Sequence, residues 1–109
     1  MILIVVKIPV RPERVEGWSE LAADYARAVQ AEEGSLFFEW SRSLDEPDTF
    51  VCVEGFRNAD AGGAHVQTQA FKDFVAQAPD FVSAQPQIIY VDAPDVPGWG
   101  PMGEIQPRD

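Results

Sequence analysis

The chain has 109 residues, of which 46% are hydrophobic and 11% aromatic, so it holds enough apolar material for one folded domain and no second core. The formal net charge of -10 disfavours binding to nucleic acid phosphates and to anionic membrane surfaces. The run from Ile2 to Val6 is too short for a signal peptide core, no stretch approaches a membrane span, and the single Cys52 excludes an internal disulfide. We therefore expect one domain in the cytoplasm.

The first third of the chain predicts a strand followed by an amphipathic helix. Residues 2–8 are β-branched and almost continuously apolar, which predicts a strand buried on both faces and ended by Pro9. A helix then begins at Pro12. Glu32, near its end, lies mostly outside the apolar face of this helix. That face has a spacing of three and four residues: Val15, Trp18, Ala22, Tyr25 and Val29. Gly34 is placed where a left-handed glycine would cap the helix.

Two strands, over residues 35–43 and 49–56, predict a hairpin around the polar turn at 45–48. Alternation gives each strand one shared face, made of Leu36, Phe38 and Trp40 in the first and of Phe50, Cys52, Glu54 and Phe56 in the second. Both faces of the hairpin carry apolar side chains, although helices are expected to cover only one. We therefore expect a partner subunit on the other face.

The remaining chain predicts two short helices, a last strand and an irregular tail. Asn58 is expected to cap a helical turn that two glycines weaken, and Thr68 to cap the next helix. The second of these helices has an apolar face made of Phe71, Phe74, Val75 and Ala78. Residues 87–91 predict a strand, and the proline- and glycine-rich residues 93–109 predict a tail without regular structure. The tail is expected either to cross a partner subunit or to cover a pocket.

The predicted order over residues 1–92 is strand, helix, strand, strand, helix, strand. This order is typical of the α+β ferredoxin-like fold, an antiparallel sheet with helices on one face.

Three motifs carry a resemblance to a known family. They are Glu33-Gly34-Ser35-Leu36-x-Phe38, Glu54-x-Phe56 followed by Asn58, and His65-x-x-Thr68-x-x-Phe71-x-x-Phe74. Together, over residues 2–92, they resemble the antibiotic biosynthesis monooxygenase domain family, which includes quinol and anthrone monooxygenases. The resemblance implies a dimeric α+β barrel, in which two sheets pack face to face and each subunit keeps a pocket between its sheet and helices.

The family resemblance also implies a set of chemistries. Many members are oxygenases that need no metal or flavin, while others degrade haem or isomerise small metabolites. Two positions depart from the family pattern, because the usual tryptophan after the strand-three glutamate is Phe56 and a frequent second histidine is Ala70. The loss of that indole N–H removes a possible donor to a substrate oxygen, which Trp40 on the neighbouring strand could replace.

An oxygenase without a metal or flavin needs a substrate that supplies the electrons itself. One histidine and one cysteine do not make a convincing transition-metal site, and no Gly-x-Gly-x-x-Gly fingerprint is present. Electron-rich phenolates, quinols and anthrone anions can donate such electrons. We therefore expect a cofactor-independent monooxygenase, without a metal, that binds and deprotonates a small aromatic substrate and holds its anion for reaction with dioxygen.

The candidate catalytic residues each have a structural alternative. His65 is the candidate base, or it caps or hydrogen-bonds the turn before the aromatic helix. Glu54 is a second acid or base, or it pairs with Arg42 or Arg57, which is the preferred interpretation. Asn58 is a helix cap or a substrate contact. The candidate substrate-binding residues are core aromatics of which some line the pocket: Tyr25, Phe38, Phe56, Phe71 and Phe74.

Two further functions compete with the oxygenase. A haem-binding or haem-degrading relative would use His65 as axial ligand. A non-catalytic dimeric binding domain would explain the departures at Phe56 and Ala70, and a fully packed pocket would support it.

Overall fold

The computed structural model describes residues 1–108 and confirms the predicted succession of elements. The strands are β1 (Ile2–Pro9), β2 (Ser35–Arg42), β3 (Thr49–Phe56) and β4 (Gln87–Asp92). The α-helices are α1 (Val15–Gln30), α2 (Ala59–His65) and α3 (Gln69–Gln77). Single 3₁₀ turns at Pro12–Arg14 and Ala78–Asp80 precede α1 and follow α3. Among the helices of residues 1–108, none combines the length and the apolar character needed to cross a membrane.

The four strands form one antiparallel sheet in the order β2-β3-β1-β4. This arrangement confirms the α+β ferredoxin-like fold and the predicted β2–β3 hairpin. The register of β2 shifts at a bulge between Ser35 and Phe37, and Leu36 at this bulge is 44% exposed. The predicted alternation of buried and exposed side chains along β2 therefore does not include Leu36. It begins at Phe37, and the next residue, Phe38, is buried in the core.

The helices cover one face of the sheet and complete the core there. The four α1 residues that are buried belong to the predicted face: Trp18, Ala22, Tyr25 and Val29. Trp18 lies among the rings of Trp40, Phe50, Phe74 and Phe81, at centroid distances of 5.4 to 6.3 Å. Phe74 anchors α3 in this cluster, whereas Val75 is half exposed, so its predicted place on the buried face is wrong.

Gly34 does not end α1 in a left-handed conformation. The helix ends at Gln30, Ala31 caps it in the right-handed region, and Gly98 is the one glycine with positive φ among residues 1–108. Gly34 is instead required by close packing, because a Cβ there would lie 3.3 Å from the Cα of Ala61 and closer still to its Cβ. The loop before β2 is thus pressed against α2.

The outer face of the sheet, opposite the helices, is apolar. Six apolar side chains of this face come from β1, β3 and β4: Leu3, Val5, Val51, Val53, Ile89 and Val91. All six are at least partly exposed, and every residue of β4 is exposed. The tail reaches this outer face, since Trp99 packs on Phe37 of β2 at a centroid distance of 5.3 Å. The tail therefore does not cover the cavity described below.

Candidate functional site

A cavity of about 470 Å³ lies between the sheet and the helices. Its walls are mainly apolar, with Ile4, Val6 and Ile8 from β1 and with Phe71 and Phe74 from α3. Four polar or ionisable side chains interrupt these walls, and we call them the polar cluster: Tyr25, Cys52, Glu54 and His65. The side chains that line the cavity within residues 1–108 include no lysine or arginine. The site suits an uncharged aromatic ligand that carries a hydrogen-bonding group on one edge.

His65 is held in place by the local structure of α2. Asn58 caps the start of this helix, as predicted, because its Oδ1 accepts from the N–H of Ala61 at 2.9 Å. Thr68 caps α3, also as predicted, and its hydroxyl donates to the carbonyl of His65 at 2.7 Å. His65 as a whole is 2% exposed, and the centroid of its imidazole lies 4.6 Å from that of the Phe56 ring. Its orientation is therefore fixed before any ligand arrives.

Both ring nitrogens of His65 have polar partners. The two oxygens of Glu32 lie 2.9 and 3.1 Å from Nδ1. The hydroxyl of Tyr25 lies 3.1 Å from Nε2, and Oε1 of Glu54 lies 3.5 Å from the same atom. A carboxylate only accepts hydrogen bonds, so Glu32 assigns the proton of the neutral ring to Nδ1. Nε2 then accepts from the Tyr25 hydroxyl and is the basic atom on the cavity side.

Glu54 is buried in the polar cluster, with 4% exposure. Burial raises the pKa of its carboxyl group, and it outweighs the hydrogen bond from Cys52 and the charge of His65, which lower that pKa. The Cys52 thiol donates to Oε2 at 2.9 Å. Glu54 is thus set up as a carboxylic acid that holds its proton more tightly than an exposed glutamate.

The predicted ion pair of Glu54 with an arginine is wrong. Arg42 pairs with Asp48 at 2.6 Å, and the nearest carboxylate to Arg57 belongs to Glu33, at 4.0 Å. The register explains this, because Glu54 lies opposite Phe38. Arg42 is four residues beyond Phe38 along β2, which places it about 13 Å further along the strand.

Tyr25 and Cys52 are both neutral in this environment. Burial is the main cause that raises the pKa of each group above its ordinary value, and the charge of Glu54 adds to it. The Tyr25 ring is stacked on Phe74 at a centroid distance of 4.0 Å and meets Phe38 edge to face. Its hydroxyl is therefore a fixed donor at the wall of the cavity.

The structure brings six of the predicted site residues to the cavity: Tyr25, Trp40, Glu54, His65, Phe71 and Phe74. Phe38 and Phe56 lie behind the wall, in the core. Asn58 does not line the cavity. Trp40 presents its ring only, because its indole N–H donates to the carbonyl of Ala22 at 2.9 Å. The predicted indole donor is thus already engaged within the protein.

Glu32, like Cys52, is a site residue that was not predicted from the sequence. It follows α1 and is far from His65 in the chain, and no local motif joins the two. Its side chain, 17% exposed, also lines a second depression of about 390 Å³, which we call the outer cleft. Arg57, Asn58 and Asp60 contribute to this cleft on the outside of α2. Glu32 therefore separates His65 from solvent.

The geometry also bears on the two alternatives. Iron ligation by Nε2 of His65 would require displacement of Tyr25 and Glu54 from that atom, which disfavours the haem hypothesis. The pocket is open rather than fully packed, so the feature that would support a non-catalytic domain is missing from the described residues. Within residues 1–108, no three histidine, cysteine or acidic side chains are arranged to hold a metal ion.

Comparison with known proteins settles the family. Residues 1–77 match the family model described as antibiotic biosynthesis monooxygenase. The chain belongs to this family. Among curated proteins, it is 29% identical over 89 residues to "Putative monooxygenase YcnE" of Bacillus subtilis, an alignment that covers 82% of this chain and 94% of the relative.

Solved structures of antibiotic biosynthesis monooxygenase proteins share the fold. A protein from Caulobacter crescentus, described as a "putative antibiotic biosynthesis monooxygenase", has a TM-score of 0.80 and 28% identity, and the match covers 84% of this chain and 88% of the other. A protein from Deinococcus radiodurans with the same description has a TM-score of 0.82 and 19% identity, and the match covers 93% of this chain and 100% of the other. These matches confirm the predicted fold.

Proposed function

We propose that the protein is a cofactor-independent monooxygenase that deprotonates a quinol or a polycyclic phenol and holds the resulting anion for reaction with dioxygen. The observation that carries this proposal is a buried imidazole with a carboxylate at Nδ1 and with Nε2 on the side of an apolar, aromatic cavity. Membership of the antibiotic biosynthesis monooxygenase family supports it. The volume of about 470 Å³ is within the usual range of small-molecule sites.

The polar cluster would accept the proton of the substrate. A phenolic hydroxyl placed beside Tyr25 and His65 loses its proton towards Nε2, and the Glu32 carboxylate stabilises the positive charge that develops on the ring. Phe71 and Phe74 provide faces on which a flat substrate stacks. The apolar walls exclude water from the anion, which strengthens every electrostatic interaction within the site.

Oxygen chemistry then follows from the substrate anion. The anion transfers one electron to dioxygen, and the two radicals combine to form a carbon–oxygen bond. The hydroperoxide that results breaks its oxygen–oxygen bond, so that one oxygen atom stays in the product as a carbonyl oxygen. The other leaves as water, whose two hydrogens balance the two that the substrate loses, and one of them reaches the leaving oxygen through the polar cluster. The protein supplies binding, proton transfer and a dry cavity.

We also propose that two chains pair through the outer face. The six apolar side chains of that face form a continuous surface across β3, β1 and β4, and the family resemblance implies the same face-to-face pairing of sheets. A cytoplasmic location belongs to this proposal, because Cys52 is a buried free thiol and fits a reducing compartment.

Oxygen uptake by chelator-treated protein tests the proposed function. The protein is mixed aerobically with a panel of reduced quinones and anthrones, and isotopically labelled dioxygen identifies the oxygen atom in the product. His65→Gln should lower kcat by about 10²-fold or more, because a positioned base is lost. Lys72→Gln, on the exposed side of α3, is the matched control and should retain wild-type activity. Uptake no faster than the uncatalysed rate across the panel, or full activity in His65→Gln, would overturn the proposal.

A further inference from the structure

A chain of three hydrogen-bonding groups crosses the wall between the cavity and the outer cleft. Tyr25 lines the cavity, and its hydroxyl donates to Nε2 of His65 at 3.1 Å. Nδ1 on the other side of the same ring donates to Glu32 at 2.9 Å. Glu32 in turn lines the outer cleft, where its carboxylate is partly exposed. The buried imidazole is therefore the link between two separate depressions of the surface.

We propose that Tyr25, His65 and Glu32 form a proton relay that carries the proton of a ligand in the cavity to solvent in the outer cleft. The proposal deepens the proposed function and rests on it for the nature of the ligand, a weakly acidic hydroxyl compound. It adds an exit for the proton, which the buried position of His65 otherwise lacks.

Each transfer in the relay balances. The ligand hydroxyl gives its proton to the Tyr25 oxygen, while the proton of Tyr25 moves to Nε2 of His65. The proton on Nδ1 moves to Glu32, which releases it to water in the outer cleft. The ligand is left as an anion, Tyr25 is again neutral, and His65 is neutral with its proton on Nε2. When a proton returns along the same path to the leaving oxygen, the original Nδ1–H form of His65 is restored.

The surrounding groups favour proton transfer to Glu32 over transfer to Glu54, the other acid beside His65. The groups that face the imidazole are Tyr25 from α1, Glu32 from the loop after α1, and Glu54 from β3 with Cys52 bound to it. Phe71 of α3 adds no charge. Glu54 is 4% exposed, faces the cavity and does not line the outer cleft, so a proton placed on it would stay on the ligand side of His65. The raised pKa of the Tyr25 hydroxyl means that Tyr25 passes a proton on and does not rest as an anion.

His65 can be tested alone because it is the single histidine of the chain. In protein labelled with ¹⁵N-histidine, nuclear magnetic resonance reports one pair of ring nitrogens and the rate at which the ring proton exchanges with water. Glu32→Gln should slow this exchange at least about 10-fold, because the carboxylate that accepts the Nδ1 proton is lost. One order of magnitude corresponds to about 1.4 kcal/mol of barrier. The matched control is Glu33→Gln, which removes the same charge from the same cleft without a contact to His65, and it should exchange at the wild-type rate.

Chemical rescue separates a relay from a merely structural role. In Glu32→Ala, added formate should accelerate the exchange in proportion to its concentration, because it supplies a carboxylate in the outer cleft. If the Glu32→Gln protein does not fold, Glu32→Asp provides the same test, since its carboxylate is one methylene short of Nδ1 and should still slow exchange. Wild-type exchange in these variants, or no response to formate, would overturn the relay.

Exchange and turnover together distinguish the relay from the proposed function. Slow exchange in Glu32→Gln with no oxygen uptake by the wild-type protein supports the relay and refutes the oxygenase. Oxygen uptake with equal exchange in Glu32→Gln and Glu33→Gln supports the oxygenase and refutes the relay.

Discussion

Replacement of Gly34 by alanine tests whether the loop before β2 is held against α2 by close contact. The added Cβ would lie 3.3 Å from the Cα of Ala61 and well inside contact distance of its Cβ, and neither atom belongs to a flexible side-chain end. Backbone strain is not the cause, because Gly34 is not among the residues with positive φ. The loop and α2 must therefore separate.

The expected cost of Gly34→Ala is about 1 to 3 kcal/mol of unfolding free energy, the usual range for overpacking. In a domain of this size, such a loss lowers Tm by roughly 4 to 8 °C for each kcal/mol. The same movement would withdraw Glu32, two residues earlier in the loop, from His65. Urea unfolding monitored by tryptophan fluorescence measures the free energy, and the ¹⁵N signals of His65 report the loss of its carboxylate partner.

A double-mutant cycle with Ala61→Gly identifies the contact. Ala61→Gly alone should cost about 1 kcal/mol, because glycine is a poor helix former. If the clash between the two methyl groups is the cause, Gly34→Ala combined with Ala61→Gly should cost little more than Ala61→Gly alone. Additive losses would refute the reasoning. Gly63→Ala, where a Cβ meets no atom within 4 Å, is the control and should stabilise the protein by about 0.5 to 1 kcal/mol.

Three further predictions concern the polar cluster and the outer face. Because the folded-state pKa of Glu54 is raised, its contribution to stability is present below the ordinary value of 4.5 and is lost as the pH rises through the folded-state value. In urea titrations, the stability of Glu54→Gln relative to wild type should therefore increase as the pH rises above 4.5, and a difference independent of pH would contradict this. Cys52, whose thiol pKa is raised by burial and then by Glu54, should react with iodoacetamide far more slowly than a free thiol, and faster in Glu54→Gln; equal rates in both proteins would argue against the electrostatic contribution. Val53→Asp on the outer face should convert a dimer into a monomer in sedimentation velocity, whereas Glu39→Gln on the same side of β2 should leave the dimer intact; a dimer that survives Val53→Asp would exclude pairing through this face.

The amino-acid sequence by itself determined the local structure of this protein. The spacing of Trp18, Ala22, Tyr25 and Val29 defined the buried face of α1, and the polar caps Asn58 and Thr68 marked where α2 and α3 begin. These features are set by backbone periodicity and by side chains that bond to groups three residues away. For that reason they can be predicted without knowledge of the rest of the fold.

Only the tertiary structure decided how the site is assembled. The sequence singled out His65, yet its carboxylate partner Glu32 is 33 residues away and Tyr25 is 40 residues away. Gly34 was predicted as a helix cap, whereas its role is to let a loop approach Ala61. Such pairings depend on how the helices cross the sheet and on the register of the strands. Contacts of this kind leave no periodic pattern in the chain, so the acid–base partners of His65 depend on the tertiary packing around the imidazole.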